Sequence, residues 1–129
     1  MLTPDNLLFT KDHEWAKVEG GLVTVGITDY AQSSLGDITF IDLPKVGSAV
    51  KQGEFLATIE SVKAASDVYA PFSGEVVKAN SGLIDRPELA NKSPYETGWF
   101  AVIKAVDLSE KGKLMDAAQY KAYVEGLAK

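Results

Sequence analysis

No cysteine occurs among the 129 residues, and His13 is the only histidine. The first absence removes disulfide frameworks, thiolate nucleophiles and cysteine zinc sites from the polypeptide. The second puts a histidine-rich metal site out of reach, so no metal site is expected. Basic charge is short as well: 13 lysines and arginines against 18 acids leave a net charge of −5. That sign is wrong for a nucleic-acid surface, which must meet phosphates with cations. No apolar run reaches the roughly 18 residues of a membrane-spanning helix. Residues 1–12 show neither the charged lead, apolar stretch and small-residue cleavage site of a signal peptide nor an arginine-rich transit segment. With cysteine missing too, the expected setting is cytoplasmic.

What is present is alternation. One domain, residues 1–129, is expected at this length, and it can bury a core without staples. Val23, Val25 and Ile27 alternate with Thr24 and Gly26, the period-2 pattern of a strand. Glu14 to Val18 precedes them, and Gly20-Gly21 predicts the two-residue turn of a hairpin. A short helix follows near 29–35, with Thr28 as N-cap, Asp29 in its first turn and Gly36 closing it. Further strands are expected at Ile38 to Leu43, Glu54 to Val62, Val68 to Phe72, Gly74 to Ala79 and Trp99 to Val106. Residues 81–98 read as an irregular loop with one helical turn at Glu88 to Asn91. From Asp116 the period changes, with Tyr120, Tyr123, Val124 and Leu127 on one face and Gln119 at the capping-box position. A C-terminal helix over about 116–127 is therefore expected on a mainly β protein.

One lysine stands out by position. Residues Val50 to Leu56 and Ala70 to Val77 both pass through a turn into Gly-Glu and a strand, and Lys63 lies almost midway between Gly53 and Gly74. Two strands meeting near 62–66 form a hairpin, spanning about 53–74, whose tip must face solvent. A fixed base and an accessible tip suit a functional residue. Lysine there offers an amine on a flexible stem that can form an amide. Ala64 and Ala65 leave room on either side, and Glu60 and Asp67 flank it as recognition marks. An ordinary tip lysine is a solvated charge that discourages edge association, and spacing alone names no attached group.

The segment Glu60-Ser61-Val62-Lys63-Ala64-Ala65-Ser66-Asp67, followed by Ala70-Pro71 and Gly74, closely resembles the lipoylation segment of the glycine cleavage system H-protein family. Asp12-His13-Glu14-Trp15, Gly26-Ile27-Thr28-Asp29, Leu35-Gly36-Asp37 and Ser93 to Trp99 resemble the same family in its order and spacing. The resemblance runs over roughly residues 7–127. It implies a barrel-sandwich hybrid, two small antiparallel sheets related by a pseudo-twofold. It implies lipoic acid in amide linkage on Lys63, as N6-lipoyl-lysine, with Glu60, Ser61, Val62, Ala64, Asp67 and Gly74 in the segment read by the lipoate-attaching enzyme.

The same resemblance implies a carrier rather than an enzyme, with no catalytic residue of its own. The pyridoxal-phosphate decarboxylase (P protein) would load an aminomethyl group from glycine. The aminomethyltransferase (T protein) would pass the carbon to tetrahydrofolate, and dihydrolipoamide dehydrogenase (L protein) would restore the disulfide. A monomer is the simplest form of such a shuttle. Glu14 and Asp67 match acidic positions of the cleft into which the loaded arm folds in the family. Asp12 and Ser34 depart from residues more often found there, a serine and a histidine. Competing readings are a donor relaying lipoyl groups to other domains and a carrier domain of the biotinyl or 2-oxoacid dehydrogenase type. The latter is shorter and lacks the C-terminal helix, and biotinyl domains place methionines where Val62 and Ala64 stand. His13 is expected to be a packing residue, and Trp15 and Trp99 core or sheet-edge aromatics. The sequon Asn91-Lys92-Ser93 is given no role.

Overall fold

The structure, a computed structural model, describes residues 2–127. The chain begins with a two-residue strand, β1 (Leu8–Phe9), and the hairpin β2 (Glu14–Glu19) and β3 (Leu22–Ile27). It continues through α1 (Asp29–Leu35), β4 (Ile38–Asp42), β5 (Ala49–Val50), β6 (Phe55–Ser61), β7 (Ala65–Tyr69) and β8 (Gly74–Ala79). Two single-turn helices, α2 (Gly82–Asp85) and α3 (Leu89–Lys92), lead to β9 (Ala101–Ala105), a 3₁₀ turn (Leu108–Lys113) and α4 (Ala117–Leu127). None of the described helices is long and apolar enough to cross a membrane.

The strands form two antiparallel sheets of unequal size. The larger has six strands in the order β1-β2-β3-β9-β8-β5, and the smaller has three, β4-β6-β7. Alternation decides what each buries. Ala16, Val23, Val25, Val76, Ala101 and Ile103 point inward from the six-stranded sheet onto Leu56, Ala70 and Phe72. Ile38, Ile41, Ala57, Ile59 and Val68 of the smaller sheet pack with Ile27, Phe100 and, from α2 and α3, Leu83 and Ala90. A third cluster lies under α4, where Ala117, Tyr120 and Val124 cover Leu7, Phe9 and Trp15.

Local signals set several boundaries where the sequence put them. Thr28 Oγ1 accepts the Ala31 N–H and caps α1, and Gly36 ends it at φ 73. At α4, the Asp116 N–H donates to Gln119 Oε1 at 2.9 Å and the Gln119 N–H returns to Asp116 Oδ1 at 2.8 Å, a reciprocal capping box.

Other boundaries move. The strand expected at Val68 to Phe72 runs instead over Ala65–Tyr69. The turn before it is tight, the Ser61 N–H bonding to the Ala64 carbonyl at 2.8 Å, so pairing resumes at once. At the far end Pro71 has no N–H to give a ladder. The irregular stretch 81–98 holds two helical turns rather than one. The resembling Gly-Glu turns also differ in backbone: Gly53 sits in a turn at φ 86, whereas Gly74 is the buried first residue of β8.

Candidate functional site

Lys63 lies at the turn between β6 and β7, exposed to solvent, and no salt bridge reaches it among the described residues. The backbone below it is held firmly. Ser61 Oγ accepts the N–H groups of Lys63 and Ala64, both at 3.2 Å, and donates to the Ala64 carbonyl at 3.1 Å. The Val62 N–H bonds to the carbonyl of Asp37 at 3.0 Å, so the tip leans on the segment between α1 and β4. There the Lys63 stem passes over Gly36, where a β-carbon would lie 3.4 Å from Cε. Asn91 fixes that support: its amide nitrogen donates to the Gly36 carbonyl and to Gln32, and its oxygen accepts the Ile38 N–H at 2.9 Å. Nothing in the sequence marks Asn91 for this role, because its partners lie more than fifty residues away.

The other residues expected around Lys63 divide between surface and core. Glu60 and Asp67 are exposed on the outer face of the hairpin, since their neighbours Ile59 and Val68 point inward. They sit opposite Ala65 and Thr58 respectively, two register positions apart on the same face. Ser61 shapes the turn, and Val62 is 67% exposed beside the lysine. Ala64 is exposed. Gly74 is elsewhere, buried in the larger sheet between Val50 and Ala105. A β-carbon on Gly74 would meet the Lys104 carbonyl oxygen at 2.1 Å, which is a packing reason for glycine.

At the other end of β7 a cleft of about 320 Å³ opens. Glu14, with 1% of its surface exposed, forms its floor. One wall is the turn Thr10 to Asp12, a second is Tyr69 to Pro71 with Gln52, and a third is Lys113 and Leu114. The Thr10 hydroxyl donates to Glu14 Oε1 at 2.5 Å, and the Tyr69 N–H donates to Oε2 at 3.1 Å. Burial pushes the Glu14 carboxyl up to about 7; those two donors pull the other way, and the Asp12 charge adds to the rise. Asp67 does not line this cleft, though it shares the outer face of β7 with Tyr69, which does.

His13 packs, as expected, but in a turn. It takes φ 71, and its carbonyl accepts the Thr28 N–H at 3.0 Å. Its ring lies 4.5 Å from that of Tyr30, and Nδ1 is 2.8 Å from the Tyr120 hydroxyl. Burial holds its pKa below the usual value against the pull of Asp12. Trp15 is buried and donates Nε1–H to the Pro94 carbonyl at 2.9 Å, while Trp99 is half-buried.

The arrangement is that of a holder. It offers an accessible amine on a rigid tip, and a buried carboxyl in a cleft walled by both polar and apolar residues. From Ala65 to Tyr69 the strand covers about 13 Å at the usual rise per residue. Tyr69, at its far end, lines the cleft.

The family model described as glycine cleavage H-protein matches residues 7–126. The glycine cleavage system H protein of Halothermothrix orenii is 50% identical over 97% of this chain and 98% of its own. That of Bradyrhizobium diazoefficiens is 57% identical over 90% and 95%. Among solved structures, the crystal structure of a glycine cleavage system H protein from Mycobacterium marinum superposes with a TM-score of 0.87 at 36% identity, over 95% of this chain and 98% of that one. The two antiparallel sheets, short helices and C-terminal helix are thus the barrel-sandwich hybrid expected from the resemblance.

Proposed function

Because the chain belongs to the glycine cleavage H-protein family, we propose that it carries a lipoyl group in amide linkage on Lys63. Its role is that of a lipoyl carrier of the glycine cleavage system, a substrate of enzymes rather than an enzyme. The observation that carries the residue assignment is the tip itself: an exposed lysine, without a salt bridge among the described residues, on a turn held by Ser61 and Asp37. When bound, lipoamide supplies a disulfide that takes up an aminomethyl group and is later reoxidised, chemistry the cysteine-free chain lacks.

The chain's own residues hold and shield. The rigid turn keeps the amine exposed to solvent, so that attachment confines a cargo to the neighbourhood of one protein at high effective concentration. Ala64 and Val62 leave the stem open on both sides to an attaching enzyme, and Glu60, Ser61 and Asp67 give it a polar edge to read. The Glu14 carboxylate is placed to pair with a primary ammonium entering the cleft. A cation there favours the ionised acid, so the pKa of Glu14 falls from about 7 when it arrives. Asp67, halfway along β7, can meet the same cation at the surface. The partners in this reading are the P, T and L proteins and a lipoate-attaching enzyme, in the cytoplasm.

The mass of the peptide containing Lys63 tests this. Protein from a lipoate-competent host should carry one lipoyl amide there, and Lys63→Arg protein none. If Lys63→Arg still accepted an aminomethyl group from the decarboxylase, the assignment to Lys63 would be wrong. The shorter carrier domains are not favoured, since the family match runs over residues 7–126 and so takes in most of α4, and no observation favours the relay reading.

A further inference from the structure

One wall of the Glu14 cleft belongs to neither sheet. After β9 the chain turns through Leu108–Lys113 and passes the cleft as Lys113 and Leu114. It is caught again at Met115, which exchanges two backbone bonds of 2.8 Å with Phe9. A strap of this kind, short of regular ladder bonds, opens at low cost unless something ties it.

The tie is at Glu110. Its carboxylate accepts both the N–H of Ser73, at 2.8 Å, and the Ser73 hydroxyl, at 2.7 Å. Hydrogen bonds to an ionised acceptor are the stronger kind. Ser73 Oγ in turn accepts the Gln52 N–H at 2.9 Å. The Gln52 side-chain nitrogen donates to the Pro71 and Glu110 carbonyls, both at 3.0 Å. Three segments far apart in sequence therefore meet: the turn before β6, the connection from β7 to β8, and the strap. Gln52 also lines the cleft, so the knot and the site share a residue.

We propose that Glu110, Ser73 and Gln52 form a latch that positions the strap over the cleft and keeps bulk water from Glu14. They are positioning residues and act on the carboxyl only through the strap. The inference rests on Glu14 being the acid of the cleft and needs no group on Lys63. The charged and polar groups around Glu14 in the cleft are the Thr10 hydroxyl, the Tyr69 amide, Asp12, Lys11, Lys113 and Gln52. Burial is the largest influence on its pKa, so admitting water outweighs losing the Lys113 charge.

The test uses the full-length, unmodified protein with carbon-13 in its glutamate carboxyls, together with amide exchange at Leu114 and Met115. In Glu110→Ala and in Ser73→Ala, exchange at Leu114 should quicken about tenfold or more. The Glu14 midpoint should fall by roughly one pH unit or more. Ser73→Thr, which keeps the hydroxyl, should restore both. A loss of general stability without a latch would leave the midpoint in the folded protein where it was. Should Glu110→Ala fail to fold, Glu110→Gln, which keeps one acceptor oxygen, bears the same test. Folded variants whose Glu14 midpoint matches the parent would overturn the latch, whether or not the strap exchanges faster. A parent protein in which Glu14 titrates as an ordinary carboxyl would instead remove Glu14 from the cleft reading.

Discussion

Glu14 at the start of β2 and Tyr69 at the end of β7 are joined across the two sheets, the carboxylate accepting the backbone N–H at 3.1 Å. The N–H of an edge strand would otherwise face the cleft unpaired. The bond therefore fastens the foot of the Lys63 hairpin to the larger sheet through a titratable group. Proton uptake at one residue can then be felt in the stability of the whole.

The first prediction is a pH dependence of stability. The folded pKa of Glu14, about 7, lies above its ordinary value of 4.5. A carboxyl raised in this way stabilises the fold below about 4.5, and its contribution is lost as pH climbs through about 7. The gap corresponds to on the order of 3 kcal/mol. His13 works in the opposite sense, because its lowered pKa favours the fold above 6.5 and costs stability as pH falls. Comparing Glu14→Gln with the parent cancels His13. Urea unfolding from about pH 5 to about pH 8 should show the variant gaining on the parent as pH rises, by roughly 2–3 kcal/mol. A difference independent of pH would mean that Glu14 ionises as readily in the fold as out of it.

Gly74 separates recognition from packing. A β-carbon there would overlap the Lys104 carbonyl and Ile103 Cγ2, so Gly74→Ala should cost about 3 kcal/mol through overpacking. Lipoylation of that variant should fall only as far as folding does. Thermal unfolding and the modified fraction, measured on the same preparation, decide it. Full stability with no modification would make Gly74 a residue the attaching enzyme reads.

The difference between what was legible in the sequence and what was not follows from the range of the interactions. Gly20-Gly21 between alternating runs, Thr28 and Gly36 around α1, and Asp116 with Gln119 at α4 are signals that act within a few residues, and the structure has each of them. β1 and β5 have two residues each, too few for a period. β7 starts earlier than its alternation predicts because the backbone and side chain of Ser61 together close the turn on Ala64. The cleft draws on Thr10, Gln52, Tyr69 and Lys113, and no window of sequence holds them together. Resemblance marks Glu14 as a cleft acid, but its burial and raised pKa arise only in three dimensions.

Tyr120 ties three segments that sequence distance separates. Its hydroxyl lies 2.8 Å from His13 Nδ1 and 2.7 Å from Thr28 Oγ1, while its ring stacks on Phe9 at 4.6 Å. Tyr120→Phe keeps the stack and removes the hydroxyl, leaving the part-buried His13 Nδ1 and the buried Thr28 hydroxyl each one partner short. A loss of about 1–3 kcal/mol is expected, with Tyr120→Ala costing about 3–5 kcal/mol through the cavity under α4. Denaturant midpoints measure both. Parent-like stability in Tyr120→Phe would show that water replaces the hydroxyl freely.

The last prediction concerns the cleft at work. If Glu14 pairs with a primary ammonium on the carried arm, the pairing needs the carboxylate, which the free protein acquires as pH rises through about 7. Retention of an aminomethyl cargo, timed against the same cargo on a short lipoyl-lysine peptide, should therefore improve across that interval. In Glu14→Gln the ratio should stay flat. A charge-assisted hydrogen bond contributes roughly 1.5–3 kcal/mol, so near pH 8 the variant should lose cargo about ten- to a hundredfold faster than the parent. Asp67→Asn, exposed on the outer face of the hairpin and away from the cleft wall, should have a smaller effect under the same conditions. Equal loss from Glu14→Gln and the parent near pH 8 would mean the carboxylate does not hold the cargo.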